Sequence, residues 1–131
     1  MLLFGRLRKK RMKRKYNAAI LFKASGVILN KELYLKRSLR CSEVAKLICT
    51  NRTYLWEALH WRGLGFQDYL SKFRVRHFIQ NAPQYRSMEK EEIAERCGFN
   101  DAKTLDKYLR QMFSISLSEY LKLLSRGESP T

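Results

Sequence analysis

The chain carries the same local pattern twice, about fifty residues apart. Three matched pairs make up the repeat: Glu43-Val44-Ala45 with Glu92-Ile93-Ala94 at a spacing of 49, Leu55 and Leu59 with Leu105 and Leu109 at 50, and residues 66–70 with 117–121 at 51. In each copy the apolar spacing is typical of a short helix, a tight turn and a second helix. Three matches in the same order predict that one helix-turn-helix unit occurs twice.

Helical periodicity dominates from about residue 16 onward, and no stretch alternates apolar and polar residues long enough to predict a sheet. The predicted helices cover residues 16–34, with an interruption at Ser25-Gly26, and 42–48, 51–62, 66–82, 88–97, 102–113 and 117–125. We therefore predict an all-α fold with two helix-turn-helix lobes joined by a long central helix. The predicted order is a basic arm at 1–16, a double helix-turn-helix domain at 17–125 (first lobe about 33–64, bridging helix about 66–82, second lobe about 88–125) and a polar tail at 126–131.

The charge of the chain is strongly positive and unevenly distributed. Its 27 Lys and Arg residues oppose 12 Asp and Glu residues, for a formal charge of +15, while 45% of the residues are apolar, enough for a packed core. Residues 1–16 hold eight bases and no acid, so the other 115 residues carry 19 bases and 12 acids, a net of +7. Both parts indicate a polyanionic partner, nucleic acid first and an anionic membrane surface second.

The first residues do not predict a signal peptide or a membrane span. No run approaches the ~20 apolar residues that a span needs. Met1-Leu2-Leu3-Phe4 precedes the bases, the reverse of a signal peptide, and this order resembles the cytoplasmic end of a membrane helix. We interpret residues 1–16 as a basic arm, or as a juxtamembrane or linker remnant of a longer chain.

The second helix of each unit has a predicted inner face and a predicted outer face. The inner faces consist of Leu55, Ala58 and Leu59 in the first unit and of Leu105, Leu109 and Met112 in the second. The outer faces consist of Arg52, Thr53, Trp56, Glu57 and His60, and of Ala102, Lys103, Asp106, Lys107 and Arg110. These outer faces are candidate readers of DNA bases, because Arg and Lys donate to guanine, Asp and Glu accept from cytosine, and Thr offers a hydroxyl and a methyl group. The alternative is an ordinary solvated surface. An exposed Trp56 counts against that alternative unless it fills a structural gap.

Phosphate contacts are expected from bases near helix ends. The candidates are Arg52, Arg62, Arg74, Arg86 and Arg110. Arg74 lies on the predicted bridging helix and could instead pair with Asp68. For each candidate, the alternative is solvated surface charge.

The sequence predicts no enzyme, no metal site and no cofactor. HExxH, GxSxG and Walker patterns are missing from it, and neither His60 nor His77 has a cysteine at zinc spacing. The cysteines, Cys41, Cys49 and Cys97, are odd in number and show no CxxC spacing. We therefore expect a reduced compartment and three buried thiols, with oxidation sensing as the alternative.

Two segments make the chain resemble the DNA-binding domain of AraC/XylS-type transcription regulators. The first is Asn51-Arg52-Thr53-Tyr54-Leu55 followed by Gly65-Phe66-Gln67-Asp68-Tyr69-Leu70 and Arg74, and the second is Glu92-Ile93-Ala94-Glu95-Arg96-Cys97-Gly98-Phe99-Asn100-Asp101, which is similar to the family pattern I-A-x-x-x-G-F. The resemblance covers residues 33–124. It implies two helix-turn-helix lobes joined by a long helix, with the two recognition helices in successive major-groove segments.

The resemblance also implies which residues read bases. The family's reader positions fall at Thr53, Trp56, Glu57, Lys103, Asp106 and Lys107. The chain departs from the family pattern at Ser114 (glycine in the family), Leu117 (proline), and Leu105 and Leu109 (phenylalanines), positions that set turn geometry and core shape.

From these observations we expect a sequence-specific transcription regulator that binds double-stranded DNA at a promoter or operator, in the bacterial cytoplasm and nucleoid. For its location there is a second expectation, in which the chain is the cytoplasmic part of a membrane-anchored regulator. RNA polymerase is a second candidate partner. A sensor domain would lie on a longer parent chain, and no small-molecule effector is expected in this segment. The alternative function is a helical interaction module whose basic arm binds a membrane surface or RNA.

Overall fold

The structure, a computed structural model, describes residues 2–128. Met1, residues 129–131 of the predicted tail, and the side chains of residues 2–9 and 11 of the predicted basic arm lie outside the described part. In residues 2–128 the chain forms seven α-helices and no strand, which confirms the all-α prediction. The helices are α1 (Leu2–Asn30), α2 (Cys41–Leu47), α3 (Arg52–Trp61), α4 (Phe66–Asn81), α5 (Lys90–Arg96), α6 (Ala102–Phe113) and α7 (Leu117–Ser125), with short 3-10 helices at Leu33–Leu35 and Ala82–Tyr85.

The predicted helix bounds hold to within two residues everywhere except in α1. That helix begins at Leu2 rather than at residue 16, ends at Asn30 and has no interruption at Ser25-Gly26. Lysine and arginine are strong helix formers, so the basic arm continues the helix. Ala24 and Ile28 are fully buried on either side of Gly26, and their packing offsets the ~1 kcal/mol that an interior glycine costs a helix.

The chain divides into two compact units. Unit 1 comprises the residues up to 33 together with 38–69, and unit 2 comprises 34–37 and the residues from 70 onward. The first four residues of α4 therefore belong to unit 1 and the others to unit 2. Each unit contains one copy of the repeat, α2–α3 in unit 1 and α5–α6 in unit 2.

Each unit has an apolar core built from the repeat and its neighbouring helices. In unit 1 the buried residues include Ile20, Ala24 and Ile28 of α1, Val44 and Ala45 of α2, and Leu55, Ala58 and Leu59 of α3. In unit 2 they include Val75 and Phe78 of α4, Ile93 and Ala94 of α5, Leu105 and Leu109 of α6, and Leu117, Tyr120 and Leu124 of α7. The predicted inner faces of α3 and α6 are confirmed for these leucines, while Met112 is only partly buried.

The turn between the two helices of each repeat has the same backbone geometry. Its second residue is left-handed in both copies, with φ of 59° at Cys49 and 90° at Gly98. The next residue donates its N–H to a carbonyl of the preceding helix at 2.9 Å, from Thr50 to Ala45 and from Phe99 to Ala94. This is the hydrogen bond of a Schellman ending, and it reverses the chain within a few residues.

The cysteines do not share one environment. Cys97 is buried, and burial raises the pKa of its thiol to about 12. Cys41 is partly buried and Cys49 is exposed. The prediction of three buried thiols is therefore wrong for Cys49, which occupies the left-handed turn position and not a core position.

The helix that ends each repeat is also closed by a left-handed residue. Gly63 follows α3 with φ of 69°, and Ser114, 51 residues later, follows α6 with φ of 55°. A residue with a Cβ pays about 1–2 kcal/mol for this conformation, whereas glycine does not. The serine therefore keeps the turn that glycine favours, at a cost in stability.

Replacing Ser114 by glycine should stabilise unit 2. We expect Ser114→Gly to raise the free energy of unfolding by about 0.5–1 kcal/mol, because the strain at φ of 55° disappears. Ser125→Gly, at the end of α7, is the matched control and should lower stability, since the helical conformation there suits any residue. Urea unfolding followed by circular dichroism measures both, and a loss of stability in Ser114→Gly would contradict the interpretation.

Among the described glycines, Gly98 is the least able to accept a side chain. An added Cβ would overlap the carbonyl oxygen of Tyr34 and lie 2.9 Å from Nε of Arg74. We expect Gly98→Ala to cost about 3 kcal/mol through this overlap and its positive φ. Gly63→Ala is the control: its φ is also positive, but nothing lies within 4 Å. It should cost only about 1 kcal/mol, and equal unfolding midpoints for the two variants would refute this account.

Candidate nucleic-acid interface

The second helix of each repeat begins with the same cap. Oδ1 of Asn51 accepts the N–H of Tyr54 at 3.0 Å, and Oδ1 of Asp101 accepts the N–H of Thr104 at 2.8 Å. An Asn or Asp side chain at this position satisfies a helix N–H that would otherwise have no partner. One residue separates this cap from the left-handed residue in the first unit and two residues do so in the second, so the second turn is longer by one residue.

Helix α3 presents a continuous polar and aromatic surface on the side away from its buried leucines. Arg52, Thr53, Trp56 and His60 are exposed and Glu57 is partly exposed, as the helical spacing predicts. The side chain of Trp56 stacks on the ring of His60, with centroids 3.6 Å apart and planes 23° from parallel. Trp56 is nevertheless 48% exposed, so it does not fill a gap in the core.

The orientation of His60 is set by its own helix. Its Nδ1 lies 3.0 Å from the carbonyl oxygen of Trp56. A carbonyl oxygen only accepts hydrogen bonds, so Nδ1 carries the proton in this hydrogen bond and Nε2 takes no part in it. Nε2 of a neutral imidazole accepts a hydrogen bond, and that of a protonated one donates. The stacked pair thus offers a flat aromatic surface with one polar atom at its edge.

A groove in unit 1 borders this surface. Its volume is about 660 Å³, and Arg52, Trp56 and His60 of α3 line it together with the first residues of α2 and of α4. Its lining includes the buried Leu39 and Leu59 and the exposed Arg40 and Asp68. The exposed face of α3 is therefore not flat but adjoins a concave surface of mixed polarity.

Helix α6 exposes lysines at the positions that Thr53 and Glu57 occupy on α3. Lys103 and Lys107 are exposed on its outer face, and Nζ of Lys107 lies 5.1 Å from the centre of the Tyr108 ring. Arg110 is exposed as well, and its Nε donates to Oδ2 of Asp106 at 2.8 Å. The outer face of α6 is therefore predominantly basic.

Asp106 has a structural role in unit 2. Besides accepting from Arg110, it accepts the N–H of Leu117, the first residue of α7, at 2.8 Å through Oδ1. These hydrogen bonds, that of Leu117 above all, lower the pKa of the Asp106 carboxyl. Oδ1 of Asp106 thus holds the start of α7, and Oδ2 pairs with Arg110 within α6, a geometry that gives no support to the prediction that Asp106 reads a base.

The prediction that Ala102 faces outward is wrong. Ala102 is 9% exposed, because it lies three residues before Leu105 and seven before Leu109 and so continues the inner stripe of α6. Its N–H donates to Oε2 of Glu91 at 3.1 Å, which ties the start of α6 to α5. It therefore cannot contact a base edge without the unit opening.

Arg74 is also not a surface residue. It is 3% exposed, its Nε donates to the carbonyl oxygen of Tyr34 at 2.6 Å, and its Nη2 donates to that of Lys36 at 3.0 Å. Burial lowers its pKa to about 10, which still leaves the guanidinium charged at neutral pH. The prediction of a phosphate contact at Arg74 is wrong for this reason: its donors satisfy carbonyl groups of residues 34–37.

The other phosphate candidates lie on the surface. Arg62 is exposed just after α3, with its guanidinium 4.9 Å from the centre of the Trp61 ring. Arg86 is exposed after the second 3-10 helix, and Arg52 is exposed in the first turn of α3. These three arginines are available to a polyanion.

Two exposed aromatic residues of α3 were not among the predicted contacts. Tyr54 is 46% exposed and Trp61 is 41% exposed. They share one edge of α3 with Glu57, at positions i, i+3 and i+7, and this spacing is the signal that points to them. The exposed surface of α3 is therefore wider and more aromatic than predicted.

The described part of the chain was compared with two other kinds of feature, a metal site and a membrane span. Within residues 2–128, no three His, Cys, Asp or Glu side chains are placed to hold a metal ion. In the same range, no helix is both long enough and apolar enough to cross a membrane.

Comparison with known proteins identifies no relative. No family model, no curated protein and no solved structure matches the chain.

The placement of Arg74 predicts a large effect on stability. Arg74→Met leaves two buried carbonyl groups without their donor, and we expect a loss of about 3 kcal/mol in the free energy of unfolding. The matched control is Arg76→Met, an exposed arginine of the same helix, which should change stability by no more than about 0.5 kcal/mol. Guanidinium unfolding measures both variants. Equal stability of the two would show that the Arg74 hydrogen bonds contribute little.

Proposed function

We propose that this protein is a sequence-specific regulator of transcription that binds double-stranded DNA through two helix-turn-helix units. Helices α3 and α6 are the recognition helices, and α2 and α5 are the helices that brace them. The observation that carries the proposal is the repeated junction between the two helices of each unit. In both copies the first helix ends with a left-handed residue and a hydrogen bond to an alanine carbonyl, and the second helix begins with an Asn or Asp side-chain cap. Such a turn leaves one face of the second helix free, and the major groove accepts a helix of that size.

The exposed side chains of α3 support a role in reading bases. Arg52 and Thr53 occupy its first turn, the part of a recognition helix that enters the groove. Arginine donates two hydrogen bonds to guanine, and the threonine methyl packs on that of thymine. The stacked rings of Trp56 and His60 add a second apolar surface, which has a polar edge.

The second recognition helix would contribute a different chemistry. Its outer face exposes the basic residues Lys103 and Lys107, and the ammonium group of each can donate hydrogen bonds to guanine. Asp106 and Ala102 are omitted from the proposed contacts, because one holds α7 and the other is buried. We therefore expect guanine-containing contacts in the half of the site that α6 occupies.

Affinity would come chiefly from phosphate contacts. The chain without residues 1–16 carries a net charge of +7, and Arg62, Arg86 and Arg110 are exposed near helix ends. Neutralising about six phosphates would make log K fall with log salt at a slope of roughly −5. Phosphate contacts attract any duplex, whereas base contacts supply the preference for one sequence.

The resemblance to AraC/XylS-type regulators supports the same function and adds the arrangement. In that arrangement α4 joins two lobes, and the two recognition helices occupy successive major-groove segments of a promoter or operator. RNA polymerase is the second partner that it suggests. A regulator of this size would take its signal from another domain or protein and not from a small molecule bound here.

A helical interaction module is the second candidate function. The observation that favours it is the exposure of large apolar side chains on α1, 82% at Phe22 and 63% at Met12. Such side chains beside a basic arm would suit an anionic membrane surface. Sedimentation of the intact chain with vesicles that contain one-third anionic lipid, in competition with duplex DNA, distinguishes the two functions.

The proposed function is tested directly by selection from randomised duplexes. The intact chain should enrich one motif, bind it more tightly than random duplex, and lose affinity steeply with salt. Absence of any preference over random duplex would overturn the proposal. The selected motif then serves as the reference duplex for all variants.

Substitutions at the two recognition helices should change the preferred sequence, and those at phosphate contacts should not. We expect Lys103→Ala and Glu57→Ala to alter the selected motif, each by about 1–3 kcal/mol of discrimination at one base pair. Arg62→Ala should weaken all duplexes alike and make the salt slope shallower by about one. Lys122→Ala, an exposed base of α7, is the control and should behave as the wild type. Identical motifs from the wild type and Lys103→Ala would remove α6 from the proposed interface.

A further inference from the structure

We infer that the basic part of α1 is a third DNA contact, which binds the phosphates that border the groove segment occupied by α3. The residues that form it are Lys10, Lys13, Arg14 and Lys15, the described members of the basic arm that are exposed. The inference rests on the proposed function, because it places the arm relative to α3 as a recognition helix.

The first argument is the contact between α1 and the start of α3. The ring of Tyr16 meets the ring of Tyr54 edge to face, with centroids 5.9 Å apart and planes at 89°. Tyr54 is the third residue of α3 and directly follows Arg52 and Thr53. Residue 16 of α1 therefore lies beside the end of α3 that is proposed to enter the groove.

The second argument is distance. Helix α1 is continuous from Leu2 to Asn30, so residues 10–15 precede Tyr16 as helix. At ~1.5 Å per residue, Lys10 lies about 9 Å along the axis from the residue that touches α3. The sugar-phosphate strands border a major groove that is only about 12 Å wide. Lysine and arginine side chains on this part of α1 are therefore within reach of a strand when α3 occupies the groove.

The third argument is charge. The first 31 residues contain ten bases and no acid. Within the arm, like charges recur four residues apart on one helix, at 6 and 10, 9 and 13, 10 and 14, and 11 and 15. Each such pair destabilises a helix by about 0.2–0.5 kcal/mol, so a polyanion alongside the arm removes this repulsion as well as adding attraction.

The arm suits a nucleic-acid backbone better than a lipid surface. Eight of residues 6–15 are basic, and the other two are Leu7 and Met12. At 100° per residue, Lys10, Lys13, Arg14 and Lys15 spread over about 200° of the helix circumference. A helix that lies on a membrane needs an apolar face opposite its basic one, and these ten residues provide none.

The test uses the intact chain and two variants of equal charge. The arm variant carries Lys10→Gln, Lys13→Gln, Arg14→Gln and Lys15→Gln. The control variant carries Lys23→Gln, Lys31→Gln, Lys122→Gln and Arg126→Gln, four exposed bases elsewhere. All changes lie on exposed side chains, so both variants should fold, which circular dichroism checks. Binding to the duplex motif selected by the wild type is measured from 50 to 400 mM salt, with phosphate ethylation interference on the same duplex.

We expect the arm variant to keep the selected motif and to show a salt slope shallower by about 3–4. In the arm variant, ethylation should no longer interfere with binding at the phosphates next to the base pairs that change in the motif selected by Glu57→Ala. The control variant should change the slope by less than one. Equal slopes in the two variants, or unchanged interference in the arm variant, would overturn the inference.

Two further outcomes separate this inference from the proposed function. A wild-type chain that prefers its motif, with an arm variant of unchanged slope, refutes the third contact and leaves the proposed function intact. A wild-type chain without any motif refutes both. If the arm variant instead loses only its sedimentation with vesicles of one-third phosphatidylglycerol, the arm is a membrane contact and the inference is wrong.

Discussion

The architecture of both units depends on a chain reversal of very few residues between a short helix and the helix that follows. A left-handed residue, Cys49 or Gly98, and the hydrogen bond from the next N–H back to an alanine carbonyl make that reversal. It sets the angle at which the second helix leaves, and therefore which of its side chains meet the core. In unit 2 the turn also packs against the carbonyl of Tyr34, which leaves no room for a Cβ at Gly98.

The outer faces of α3 and α6 follow from this geometry, and their chemistry differs between the copies. Both helices bury leucines at equivalent positions and so expose equivalent arcs. On α3 the arc carries Trp56 stacked on His60, and on α6 it carries lysines. The same backbone unit therefore occurs twice in the chain with different side chains on its exposed face. Under the proposed function, the two halves of the DNA site would differ in sequence.

In this protein, the charge of a residue does not indicate whether its side chain is exposed or paired within the fold. Arg74 belongs to the basic surplus, yet it is buried and binds the carbonyl groups of Tyr34 and Lys36. Asp106 belongs to the outer face of α6, yet it holds the first turn of α7. In contrast, Lys10 and Lys13 are exposed on a helix without any acid. The same residue types therefore stabilise the fold in one place and lie exposed on the surface in another.

Local pattern was enough to predict the helices and their order, because apolar spacing and caps act over a few residues. It also placed Leu55, Leu59, Leu105 and Leu109 in the cores and Trp56 on the surface. Three of the errors show why the rest could not be predicted. The continuity of α1 through Gly26 depends on the packing of Ala24 and Ile28, and the burial of Arg74 depends on residues about forty positions away. Ala102 has the spacing of the inner stripe of α6, and its contact with Glu91 of α5 fixes it there. The spacing of apolar residues along the chain indicates which face of a helix can be buried. Whether one particular side chain is buried depends on the neighbours that the tertiary structure brings to it.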